Sequence, residues 1–145
     1  MQYKIIDGGT GRVCVVVLDS RDEAVSALTF FAAEHELNGA QVTAIGAFSQ
    51  ATVGWFDRGN RDYRKIAVAE QCEVLSLAGD VANGHDGPQL HLHAVLGLSD
   101  GSTRGGHLLE AVVWPTLEVI ITEVLPDLRK TYRPDVGLAL IDLSK

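Results

Sequence analysis

Three of the five histidines stand close together, at positions 91, 93 and 107. A neutral imidazole offers a nitrogen lone pair and is the commonest side-chain ligand for metals such as zinc. The run Gln89–Leu98 places Leu90, Leu92, Ala94, Leu96 and Leu98 at every second position. That is the alternation of a β-strand with one buried face. His91 and His93 then project together from the other face, about 7 Å apart along the strand. On a helix, residues two apart would point in nearly opposite directions.

The third histidine depends on a turn. Ser99-Asp100-Gly101 suits a three-residue hairpin loop, with Gly101 supplying the left-handed position. That register sets Leu98 opposite Ser102 and His93 opposite His107, and directly opposed residues share a face. A two-residue loop at Asp100-Gly101 would instead turn His107 to the other face, because a one-residue slip flips every side chain. A bulge at Gly105-Gly106 would also reset the register. With three histidines and no fourth protein ligand, the site implied is a divalent metal with an open position, zinc first. Two histidines on an exposed strand face, taken alone, are often no more than solvated polar groups; the hairpin makes the difference. His85, in the turn Asn83–Pro88, is the other candidate ligand, but its Gly and Asp neighbours suit a solvent-facing loop.

The segments Leu90-His91-Leu92-His93-Ala94, Asp100-Gly101 and Gly105-Gly106-His107-Leu108 resemble the signature of the PPC domain (plants and prokaryotes conserved, also called DUF296). Glu73-Val74-Leu75-Ser76-Leu77-Ala78-Gly79 is similar to that family's Phe-Glu-Ile-Leu-Ser-Leu-x-Gly strand. Ala44-Ile45-Gly46-Ala47 and Thr116-Leu117-Glu118-Val119 resemble two further family segments, in the same order along the chain. The resemblance implies an α+β domain that assembles as a homotrimer. It also implies, from the plant branch, that Glu73, Val74 and Leu75 contact partner proteins. Simple strand core is the plainer reading of Val74, Leu75 and Leu77. Two departures stand out. Ser20-Arg21-Asp22-Glu23 replaces a Gly-Glu-Asp, and Gly79-Asp80-Val81 replaces a Gly-Asn-Ile. Asp80 is then either an acidic ligand or a turn cap, and the turn is the reading favoured.

The bulk composition bounds the rest. The chain of 145 residues is 46% hydrophobic and 21% charged, as expected for one ordinary globular domain, residues 1–145, with a core that needs no staples. Twelve basic against 19 acidic residues give a net charge of −7, which opposes non-specific binding to nucleic acid. The one local basic run, Arg58, Arg61, Arg64 and Lys65, reads as a solvated loop and strand edge. An Arg-Gly-Arg-Pro minor-groove core is absent from the sequence, so DNA binding by the plant members does not carry over directly. Cys14 and Cys72 sit in apolar runs and read as buried thiols. The first residues lack the shape of a signal peptide, and the longest apolar run, Val13–Leu18, is too short to cross a bilayer. A cytoplasmic protein without membrane contact is expected.

The elements that would position the histidines follow in order. Strands are expected at Met1–Ile6 and Val13–Leu18. A capping box at Ser20–Glu23 should start a helix that runs to about Leu37 and ends on Asn38-Gly39. Ala24, Ala27, Leu28, Phe31 and Leu37 would be its buried stripe, with His35 at the surface. Strands at Val42–Phe48 and Thr52–Asp57, joined by a short turn, lead to strands at Tyr63–Ala69 and Cys72–Ala78. After the histidine hairpin come Leu117–Thr122, a turn or single helical turn over Pro126–Pro134, and a last strand Val136–Leu143. Short links favour antiparallel pairing, giving a mostly antiparallel sheet with one main helix packed on it.

Three functions compete. A zinc-binding domain would use His91, His93 and His107. A zinc-dependent hydrolase would also need a proton carrier; Glu73, Glu110 and Glu118 are the carboxylates on neighbouring segments, and none can be assigned. A DNA-associated or protein-interaction module would need no chemistry at all.

Overall fold

The computed structural model describes residues 1–9, 11–124 and 127–144. Its first strands, β1 (Gln2–Asp7) and β2 (Arg12–Asp19), form a hairpin and lead into a single helix, α1 (Ala24–Glu34). Next come β3 (Gly39–Asp57), β4 (Asp62–Val68), β5 (Cys72–Asn83), β6 (Pro88–Gly97) and β7 (Thr103–Glu123). These seven strands make one sheet in the order β1-β2-β7-β6-β5-β3-β4, with β7 also paired to β3. Every strand pair in it is antiparallel. A separate hairpin, β8 (Lys130–Arg133) with β9 (Leu138–Ile141), closes the described chain. The α+β architecture expected from short links and alternation is the one observed.

The extra β3–β7 pairing shapes the fold. Both strands are long and bent, with register shifts near Gly46, Phe48 and Thr52. Because β3 joins β5 on one side and β7 on the other, and β6 bridges β5 to β7, the sheet curls toward a barrel around its core. Phe48, Leu77, Leu92, Leu96 and Leu117 fill the inside, and α1 adds Leu28 and Phe31. Cys14 and Cys72 are buried free thiols, and burial raises the pKa of both. Gly46 must be glycine: its φ is +148°, and a Cβ would stand 2.9 Å from Leu117 Cα. That close crossing lets β3 bend over β7.

The bends explain where the strand boundaries depart from the sequence pattern. The two strands expected at Val42–Phe48 and Thr52–Asp57 are one, because bulges, and no turn, interrupt the alternation. Leu117–Thr122 is only the end of the 21-residue β7. The helix is capped by Glu23 itself, whose carboxylate accepts from Val25 N and Ser26 N and also from Ala111 N. These bonds hold Glu23 below the usual carboxylate range, against the opposing effect of its burial. Ser20 is drawn away to the Pro115 carbonyl instead. The helix stops at Glu34, and Glu36, with φ +51°, takes the left-handed position expected of Gly39, which already belongs to β3. Leu37 is buried beyond the helix, with Leu37 N donating to Ala32 O. His35 is half-buried, its ring against Phe31 and Tyr3, and is not a bare surface group.

The segment read as a turn before Pro134 contains β8, and the last strand is shorter than expected, Leu138–Ile141; Pro126 lies outside the described residues. The β8–β9 hairpin is tied to the sheet through Asn83 N to Leu128 O at 2.7 Å and Leu128 N to Asn38 O at 2.9 Å. No helix among the described residues is long and apolar enough to cross a membrane.

Candidate metal centre

The β6–β7 turn settles the register. Leu98 N donates to Ser102 O at 2.8 Å, and Gly101 N to Leu98 O at 2.9 Å, with Gly101 at φ +82°. This is a three-residue loop, and Asp100 fastens it by accepting from Ser102 N at 2.8 Å. Counting back, Gly97 faces Thr103 and His93 faces His107. No residue is inserted between those rungs, so His107 stays on the face of His91 and His93.

The three imidazoles therefore converge. One ligand atom from each lies within 4.8 Å of the others. His91 Nε2 and His93 Nε2 are 3.2 Å apart, close to the edge of about 3.3 Å that a tetrahedral ion with Zn–N bonds of about 2.0–2.1 Å would impose. Two Nε2 lone pairs facing each other would repel, so a shared proton or a cation accounts for the approach. His107 Nδ1 is buried with no hydrogen-bond partner among the described residues. A buried, unpaired ring nitrogen is costly unless something else is bound to the imidazole site. The donor set thus fits a metal.

Electrostatics keep two of these ligands ready. Burial, then the nearby rings of His91 and His93 and the charge of Lys130, lower the pKa of His107 to about 4. Burial followed by His91 also lowers that of His93. Both rings are accordingly neutral at pH 7, the state in which imidazole ligates. Tyr63 of β4 lies flat on His107, with centroids 4.7 Å apart and planes at 21°. Gly54 makes room for that ring, since a Cβ there would come within 2.7 Å of Tyr63 Cδ1. Burial raises the pKa of the Tyr63 phenol.

Two residues beside the cluster depart from the sequence reading: Lys130 was not singled out, and Asp80 was read as a turn cap in preference to an acidic ligand. Asp80 is not in a turn: it lies inside β5, directly across from His91. Its Oδ2 is 3.5 Å from His91 Nδ1, and its Oδ1 is 2.7 Å from Lys130 Nζ. With Nε2 of His91 facing His93 and Nδ1 facing a carboxylate, His91 has the arrangement that orients a metal-binding imidazole. Lys130 comes from β8 and its side chain is only 5% exposed; it also donates to Gln89 O at 3.3 Å. Of the other candidates, His85 is exposed and pairs with Asp86 away from the cluster. Glu110 accepts from Thr52, Glu118 stands opposite Ile45, and Glu73 is exposed; none joins the cluster. Val74 is core, whereas Leu75 is thrown outward by the bulge between Val74 and Ser76.

The model of the Plants and Prokaryotes Conserved (PCC) domain matches residues 6–125. The chain belongs to this family. A metal-containing protein of Archaeoglobus fulgidus shares the fold with a TM-score of 0.83 and 28% identity, over 97% of this chain and 96% of that one. A candidate DNA-binding protein of Bacteroides thetaiotaomicron superposes with a TM-score of 0.87 at 28% identity, over 99% of each chain. The plant- and prokaryote-conserved protein of Pyrococcus horikoshii, 24% identical over 97% of this chain and 94% of its own, has the same fold with a TM-score of 0.85. The bifunctional protein GlmU of a Synechococcus species is 31% identical over 106 residues, 72% of this chain. The PPC chain spans only 16% of that relative's length.

Proposed function

We propose that this PPC domain is a homotrimeric, cytoplasmic metal-binding protein that holds one zinc ion through His91, His93 and His107. The observation that carries the reading is the convergence of three imidazole ligand atoms within 4.8 Å, with the His91–His93 spacing already that of a coordination edge. Asp80 would orient His91, and Lys130 would hold Asp80. A bound zinc would supply a Lewis acid with one open position, lowering the pKa of a water there to about 7. No carboxylate joins the cluster, so no general base is assigned. The metal-containing relative from Archaeoglobus, similar over nearly the whole chain, supports the same reading.

Self-association draws on the outer face of the sheet. Ile45, Leu75, Val95 and Ile120 are each at least 41% exposed there, and Ile120 shares a lateral row with His93 through Thr43 and Ala78. Such a contiguous apolar face on a sheet is an interaction surface. Two buried, unpaired cysteines suit a reducing compartment. Association with DNA, suggested by the candidate DNA-binding relative, has the net charge of −7 against it.

The test is elemental analysis of purified protein, wild type against His91→Ala, with mass by light scattering on the same column. About one zinc per chain in the wild type, lost in the variant, and a trimer mass are expected. Full metal content in the variant, or none in the wild type after zinc is supplied, would overturn the site; a monomer mass would overturn the assembly.

A further inference from the structure

Between the histidine cluster and the β8–β9 hairpin lies a cavity of about 170 Å³. His91 and His107 line it together with Tyr63, Gln89 and Lys130, and Leu90 and Leu138 contribute apolar surface. At about 30 Å³ per water, it holds five or six waters or one small organic molecule.

Its polar groups are few and specific. The Lys130 ammonium carries three N–H donors. Lys130 Nζ is ion-paired with Asp80 Oδ1 at 2.7 Å and donates to Gln89 O at 3.3 Å, which leaves at least one N–H for the cavity that Lys130 lines. The charges of Lys130 and Asp80 cancel. With neutral imidazoles, the net charge at the site would be that of the ion alone, so an anion is favoured. A phosphate brings four oxygens and more charge than one ammonium and one ion balance, and the leucines of the lining would face part of it. A carboxylate brings two, and two electropositive partners are at hand.

We propose that this cavity binds a small monocarboxylate with a short apolar substituent, its oxygens shared between the metal's open position and the free donor of Lys130. The apolar substituent lies against Leu90 and the β9 strand. This rests on the three-histidine metal reading and names the ligand class for that site. Lys130 is a binding residue here, and the C-terminal hairpin becomes part of the site.

The experiment uses the whole chain loaded with Co²⁺, with metal content measured in every sample. Isobutyrate is titrated while the visible cobalt spectrum is followed, with inorganic phosphate and isobutanol as comparison probes. The expected result is a saturable spectral change with isobutyrate, and binding at least about tenfold weaker for either comparison probe. Lys130→Met should weaken isobutyrate about tenfold as read on the cobalt-loaded fraction of the sample, the loss of one hydrogen bond to a charged group. Ala139, two ladder positions from Lys130 on the same hairpin face, also lines the cavity. Ala139→Phe should fill the space and abolish binding with cobalt retained, and it keeps the test decisive if Lys130→Met fails to fold. One cobalt per chain with no response to isobutyrate, or equal affinity in both variants, would overturn the cavity proposal alone. No cobalt bound at all would overturn the metal reading and this one with it.

Discussion

Replacing Asp80 by alanine should cost more stability than replacing its partner, and the second replacement should rescue the first. The reasoning starts from burial. The Lys130 side chain is 5% exposed and stands 2.7 Å from Asp80 Oδ1, whereas the Asp80 side chain is 25% exposed and has His91 Nδ1 at 3.5 Å. Asp80→Ala strands an ammonium that water barely reaches, at a cost of about 3–5 kcal/mol. Lys130→Met leaves a carboxylate whose Oδ1 is buried but whose side chain as a whole is 25% exposed, and it keeps the methylene packing, at about 1–2 kcal/mol. The double variant removes both charges and should be no worse than about 1–2 kcal/mol, since an apolar replacement of a buried pair is often neutral. The assay is urea unfolding at pH 7 with chelator present and the protomer concentration fixed, because assembly shifts apparent stability. If Asp80→Ala costs under about 0.5 kcal/mol and Lys130→Met simply adds to it, the pair is an ordinary surface ion pair and the argument from burial is wrong.

Two further outcomes follow from the same region. The folded-state pKa of His107, about 4, lies below the unfolded value of about 6.5, so the unfolded chain takes up a proton first. The metal-free protein should hold the full contribution of this group above about pH 6.5 and lose it as pH falls through about 4, by about 1–2 kcal/mol once solvent screening of a half-buried ring is allowed for. Unfolding curves of wild type and His107→Gln across that window should diverge by this amount, and parallel curves would refute it. Gly79→Ala would drive a Cβ into the His91 carbonyl oxygen, with the His91 carbonyl carbon at 2.9 Å, and should cost about 3 kcal/mol. Gly101→Ala meets open space but must hold φ +82°, and should cost about 1 kcal/mol; equal losses of thermal stability would show that the β5–β6 crossing is not close.

The histidine hairpin was legible because two independent signals agreed. The alternation of Leu90 to Leu98 marked which residues face inward, and Gly101 suited a three-residue loop without excluding a two-residue one; the Leu98–Ser102 hydrogen bond decides the register. Lys130 was not legible, and Asp80 was read as a turn before a ligand, each for a physical reason. Asp80 follows Gly79, a pair that reads as a turn, yet here the glycine serves close strand approach and β5 runs on to Asn83. Extending the alternation past Ala78 would have placed Asp80 outward, beside His91. Lys130 stands in a short polar segment whose strand forms only with β9, and nothing local shows which part of the sheet that hairpin covers. The bends in β3 and β7 broke the period in the same way. Bulges shift the inward residues by one, so a continuous strand reads as two.

The site is assembled by the same rule that builds the core. Inward positions of β6 supply Leu90, Leu92, Ala94 and Leu96; the outward positions between them supply His91 and His93. The neighbouring strands add one outward group each at the matching rungs, His107 from β7 and Asp80 from β5. Three adjacent strands therefore hold four groups without any long loop, and the ladder hydrogen bonds that fix the rungs also fix the spacing between imidazoles. Only Lys130 comes from outside the sheet, carried by a hairpin joined to it through Asn83 and Asn38. A cation in that place lies beside a cluster that would already hold a divalent ion, and its like charge would oppose metal binding if it stood alone. The Asp80 carboxylate between Lys130 and His91 removes that conflict. It neutralises the ammonium and turns toward the ligand ring, so the hairpin can cover the cluster without repelling its ion.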